Sequence, residues 1–127
     1  MEIFIISQFL PVSQVDKVKA SFKGVASRFT VVDSFFEINN LDKEEDGWYG
    51  VFYENEEIED ELLVALDSFF ELTKADVLVA FKREPNRITK CPRFFRSHVE
   101  LKIDSLEPVD REISHEIMLN GYIKEHD

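Results

Sequence analysis

Cysteine occurs once, glycine and proline four times each, and basic side chains are outnumbered. Cys91 alone cannot close an internal disulfide or build a multi-thiolate metal centre, which fits a reducing compartment. No apolar run approaches the ~20 residues that cross a bilayer, and the chain does not open on a basic segment followed by an apolar one. Neither a membrane span nor a secretory leader is therefore expected. Lys and Arg number 15 against 26 Asp and Glu, a formal net charge of −11. General nucleic-acid binding and anionic-membrane binding both need a cationic surface, so neither fits that balance. No repeat, linker or low-complexity segment is present. A cytoplasmic protein is the expectation.

Apolar residues are abundant: 44% of the chain is hydrophobic and 12 residues are Phe. That suffices for one core over residues 1–127 and not for two. Charge is segregated along the chain. Glu37 to Glu61 holds eleven acidic residues and one Lys, whereas Lys82 to Arg96 holds six basic residues and one Glu.

The stretch from Gly47 to Leu72 organises the rest. Trp48 to Tyr53, entered from Asp46-Gly47, has the aromatic and β-branched content of a strand. It runs into an acidic turn and then a helix over residues 57–72. There Ile58, Leu62, Ala65, Leu66, Phe69 and Phe70 share one face, Glu56 to Glu61 complement the helix N-terminus, and Asn55 is the expected N-cap. Upstream, Glu2 to Phe9 reads as a buried central strand, Gln14 to Lys23 as a helix and Phe29 to Ser34 as a second strand. Residues 35–46 are expected to form a surface loop. Downstream, Ala75 to Phe81 reads as another buried strand, Lys82 to Pro92 as a loop and Arg93 to Ile103 as a strand that alternates from His98. In the tail, Asn120-Gly121 signals a β-hairpin, with a helix ending at Gly121 as the alternative; the hairpin is preferred. The predicted fold class is α/β: a single small domain with a mostly parallel sheet flanked by helices and a C-terminal β-hairpin.

The order of TVVDS (Thr30 to Ser34), FYENEEIEDEL (Phe52 to Leu62), RFFR (Arg93 to Arg96), His115-Glu116, Asn120-Gly121 and His126 resembles the family-2 glycosyltransferases of GT-A fold over most of the chain. The resemblance implies a nucleotide contact at Asp33, Mg²⁺ or Mn²⁺ at the acidic turn, and a nucleotide-sugar as ligand. The aspartates of the family's metal-binding turn are Tyr53 and Asn55 here, which leaves Glu54 and Glu56 as the carboxylates. The segment before the turn is also shorter than in the family. These departures imply a reduced GT-A-like domain that binds a nucleotide-sugar or related phosphorylated ligand with weak or absent cation dependence and no measurable sugar transfer.

Each candidate residue also has a plainer reading. Glu54 and Glu56 suit a helix N-terminus without any metal. Asp33 caps a turn or meets a ligand at the carboxyl end of its strand. His115 and Glu116, with His126, form an acid/base cluster or lie on the wet face of a hairpin. Arg87, Arg93 and Arg96 suit a diphosphate, or else the basic strip folds against the acidic turn at residues 54–61 or pairs with it across a homodimer. The second functional class is accordingly a non-enzymatic module that holds a protein partner or its own copy.

Overall fold

The computed structural model describes residues 1–7, 12–26 and 28–125. Two of the residues assigned above to the first strand, Gln8 and Phe9, and His126 of the predicted cluster lie outside the described residues. The chain forms β1 (Glu2–Ile6), α1 (Val12–Ser21), β2 (Arg28–Val32), α2 (Phe35–Asn40), β3 (Trp48–Tyr53), β4 (Glu56–Ile58), α3 (Asp60–Leu72), β5 (Val77–Glu84), β6 (Arg87–Arg96) and β7 (His115–Glu125).

The strands make one seven-stranded sheet in the order β2-β1-β3-β6-β5-β7-β4. β1 pairs parallel with β2 and β3, and β5 parallel with β7. The β3–β6, β5–β6 and β4–β7 pairs are antiparallel. This mixed sheet curls into a half-barrel. The expected mostly parallel sheet flanked by helices is thereby corrected. Its parallel part is confined to the neighbourhood of β1 and to β5–β7.

The correction has local causes. Lys82 to Pro92 is no loop: Glu84 pairs with Arg87 across Pro85-Asn86, so β5 and β6 form a hairpin with a two-residue connection. Pro85 is tolerated because it sits in that connection. Arg93 to Ile103 is strand only as far as Arg96. The tail is neither hairpin nor helix but the single strand β7. Gly121 there has φ +109°, and its register against β5 shifts between Val79 and Phe81, so Asn120-Gly121 marks a bulge instead of a turn. Residues 35–46 contain α2, started by Ser34, whose Oγ accepts the Glu37 backbone N–H. Finally, α3 begins at Asp60 with Glu59 as N-cap, not at Asn55, because Glu56–Ile58 is drawn off as β4 to pair with β7.

Alternation along the strands divides the core into two faces. Ile3, Ile5, Trp48, Phe52 and Phe94 point to the side covered by α1 and α3, where Val18, Phe22, Leu62 and Leu66 meet them. Phe4, Ile6, Tyr49, Val51 and Phe95 point to the other, covered by Ile38 of α2 and by Val99, Leu101 and Leu106. Each such fully buried side chain contributes ~1.5–3 kcal/mol relative to exposure. On the second face the Tyr49 hydroxyl donates to the Val99 carbonyl at 2.6 Å. The Lys43 ammonium donates to the carbonyls of Ile38 and Leu41 at the end of α2, where the helix dipole favours a cation.

Candidate functional site

β4 follows β3 by only two residues, yet it lies at the far edge of the sheet with β6, β5 and β7 between them. The chain can make that step only because the sheet curls back on itself. Glu56, the first residue of β4, is fully buried at the crossing. A carboxylate there requires partners, since an isolated buried charge is very costly.

Arg93 supplies them through a backbone irregularity. Leu78 pairs with Phe94 and Val79 with Pro92, so Arg93 has no partner on β5. Such a bulge re-aims its side chain. Arg93 Nη1 donates to Glu56 Oε1 at 2.5 Å and Nη2 to Oε2 at 2.6 Å, the bidentate geometry of the strongest carboxylate pairs. Nη1 also reaches the Val51 carbonyl and Nε the Cys91 sulfur. Lys82 of β5 lies 2.7 Å from Glu56 Oε2 and 3.0 Å from Glu125 Oε1 of β7, and the Tyr53 N–H of β3 donates to Glu56 Oε1 at 2.8 Å. Three other strands therefore supply partners to this one carboxylate of β4, and β7 joins through Glu125 on Lys82. Burial alone would raise the Glu56 pKa, but the Arg93 charge and fork, the Lys82 ammonium and the Tyr53 N–H hold it below the ordinary value.

The sequence candidates are distributed around this network. Of the ligand-binding set, Arg93 is buried in it. Arg87 is exposed at the β5–β6 hairpin and paired with Glu84 at 3.0 Å. Arg96 donates to the Ala75 and Thr73 carbonyls just after α3 and stacks on the Trp48 ring. Together with Lys82–Glu56 and Arg83–Glu59, these pairs mean that much of the basic strip is compensated within the chain.

Asp33 and Glu54 do come to one edge. Val32 and Tyr53 both register with Ile6, so the residues after them flank Ser7 where the three parallel strands end. The Asp33 N–H donates to Glu37 Oε2, and Glu54 Oε2 is buried with no hydrogen-bond partner among the described residues. His115 and Glu116 are consecutive on β7 and so point to opposite faces of the strand. His115 Nδ1 lies 3.0 Å from the Ile113 carbonyl, and Glu116 borders a small cavity with Phe69 and Leu72.

A divalent cation does not fit the Glu54–Glu56 pair as placed. Both Glu56 oxygens already face cationic nitrogens, and no metal-suited group of three His, Cys, Asp or Glu occurs among the described residues.

Sequence reasoning missed a groove of about 710 Å³ at the opposite end of β3 from that turn, between the residue 41–47 segment and residues 96–100. Asp42, Glu45, Asp46 and Glu100 line it, and none of the four forms an ion pair among the described residues. Its basic members are turned to other partners: Lys43 to backbone carbonyls, Arg96 to Ala75 and Thr73, and His98 towards Asp76 at 3.7 Å. The signal available beforehand was the density of carboxylates at residues 42–46, which sequence alone could assign only to a solvated loop.

No protein-family model matches the chain, and no curated protein matches it. With the curled mixed sheet, this overturns the resemblance to the GT-A glycosyltransferases: the motif order recurs, but the layout that gives it meaning does not. Among the described residues no helix is long and apolar enough to cross a membrane.

Proposed function

We propose that this chain is a non-enzymatic protein-binding module whose acidic groove receives a cationic segment of a partner protein. The observation that carries this reading is the asymmetry of pairing in the groove. Its basic side chains are occupied within the chain, while Asp42, Glu45, Asp46 and Glu100 form no ion pair among the described residues. Four carboxylates against Lys43 and Arg96 leave the wall net negative, with Asp42 and Glu100 acting on the Lys43 ammonium only from beyond ion-pair distance, and a net negative concave wall draws oppositely charged partners. The competing reading, a phosphorylated ligand at Arg87, Arg93 and Arg96, has less support because Arg93 is buried against Glu56 and Arg96 is committed to carbonyls.

Fluorescence anisotropy with a labelled Lys/Leu-alternating peptide tests the proposal. Binding should be present at low ionic strength and weaken with added salt. It should be lost in the D42N/E45Q/D46N/E100Q variant, in which Asn tolerates the positive φ of Asp46. A control that neutralises Glu61, Asp67 and Glu71 on α3 should bind like the wild type. Equal weakening in both variants would locate the effect in net charge and sink the groove reading.

A further inference from the structure

We infer that the outer edge of β2 is a self-association surface, on which a second copy of this chain adds its own β2 antiparallel and extends the sheet across a two-fold axis. This does not rest on the groove reading, since the two surfaces share no residue.

An edge strand offers unpaired backbone groups, and proteins that remain monomeric blunt such edges with bulges, proline, charge or shortness. The half-barrel has two ends. At one, β4 is three residues long, and the part of β7 beyond its reach is interrupted by the bulge at Gly121. At the other, β2 pairs with β1 in unbroken register over five residues, and no strand among the described residues covers its outer side. β2 contains no proline and no carboxylate. Its one charge, Arg28, is paired with Glu2 at 2.6 Å.

Side-chain placement fits a copy of the same strand. Phe29 and Val31 register with Ile3 and Ile5 on the α1-bearing face, and Val31 remains 46% exposed. A two-fold axis perpendicular to the sheet at Thr30 places Thr30 opposite Thr30 of the second copy. Phe29 then faces Val31, and the contact occurs twice. Thr–Thr and aromatic–β-branched cross-strand pairs are favourable. Shifting the axis to Val31 would set Phe29 against Asp33, which disfavours that register.

Charge permits the contact at this place. Residues 17–32 contain four basic residues and no acidic one, in a chain of net charge −11. With Arg28 held by Glu2 and Lys23 by Asp60, two copies can approach along β2 without setting carboxylate against carboxylate.

Sedimentation velocity across a concentration series tests the proposal, using wild type, Val31→Lys and, as a control on the other end of the sheet, Leu119→Lys. The expected result is a concentration-dependent dimer in the wild type and in the Leu119 variant. Val31→Lys should raise the dimer dissociation constant about tenfold or more. A wild type that stays monomeric throughout, or a dimer that Val31→Lys leaves intact, overturns the proposal. Should Val31→Lys fail to fold by circular dichroism, hydrogen exchange on the wild type decides. Amides of residues 28–32 should slow as protein concentration rises, and unchanged exchange overturns the proposal. Protection of β2 that appears only on adding the cationic peptide would assign the edge to another partner and equally overturn it.

Discussion

Arg93 and Glu56, 37 positions apart in the chain, meet through two parallel hydrogen bonds of 2.5 and 2.6 Å inside the curl of the sheet. Neither would be stable there alone. The Arg93 bulge on β6 and the short strand β4 are two ends of one device, and Lys82, Glu125 and the Tyr53 N–H join it from β5, β7 and β3.

The first consequence concerns acid. The Glu56 pKa is depressed in the folded state, chiefly because Arg93 and Lys82 outweigh the effect of burial. A depressed carboxylate contributes stability that is fully present above its unfolded pKa, near 4.5, and is lost as pH falls through the folded value. Urea midpoints of the wild type should therefore fall as pH drops below ~4.5. Glu56→Gln should be less stable than the wild type at pH 7 and show a shallower decline on the acid side. An equally steep decline would place the acid sensitivity elsewhere.

A second expectation separates two glycines that share positive φ. At Gly121, φ +109°, an added Cβ would lie 2.9 Å from the Leu62 backbone nitrogen at the start of α3; at Gly24, φ +82°, it would meet nothing within 4 Å. Gly24→Ala should incur only the conformational cost, of order 1 kcal/mol. Gly121→Ala should cost clearly more, because backbone must move. Equal thermal shifts would contradict the packing of α3 on the β7 bulge.

The phase of α3 gives a third. Leu66 is fully buried and Val64 is 79% exposed. Leu66→Ala should destabilise by ~2–5 kcal/mol and Val64→Ala by no more than ~0.5 kcal/mol. Phe69, which the apolar stripe places on the same face as Leu66, is only partly buried, so Phe69→Ala should fall below the ~3–5 kcal/mol of a fully buried ring.

Strong local patterns were legible in the sequence: β1, β2, β3 and the cores of α1, α3 and β5 all lie where apolar runs and helical spacing put them. β4 was not, because Glu56-Glu57-Ile58 is three residues long and its carboxylates look like a helix N-terminus. Its strand character comes from pairing with Glu125, Lys124 and Ile123, which are remote in sequence. β6 was obscured by Pro92, an unfavourable strand residue that the Arg93 bulge accommodates. Asn120-Gly121 carried a true demand for positive φ at Gly121 but met it within one strand. Of the candidate residues, the pairing of the basic strip with the acidic turn was legible as charge segregation. The groove at Asp42, Glu45, Asp46 and Glu100 was not, because Glu100 joins the others only through the fold.

The claim that Glu56 and Arg93 act as one unit holding the curled sheet is tested most directly by a double-mutant cycle with Glu56→Leu and Arg93→Met, followed by urea denaturation. Glu56→Leu leaves the buried Arg93 charge without its carboxylate and should cost ~3–5 kcal/mol, Arg93→Met leaves Glu56 with only Lys82 and the Tyr53 N–H and should cost somewhat less, and the double change replaces the pair by apolar groups and should recover much of the summed loss. The cycle should therefore return a favourable coupling of about 3 kcal/mol or more. Single effects that simply add, within ~0.5 kcal/mol, would contradict it.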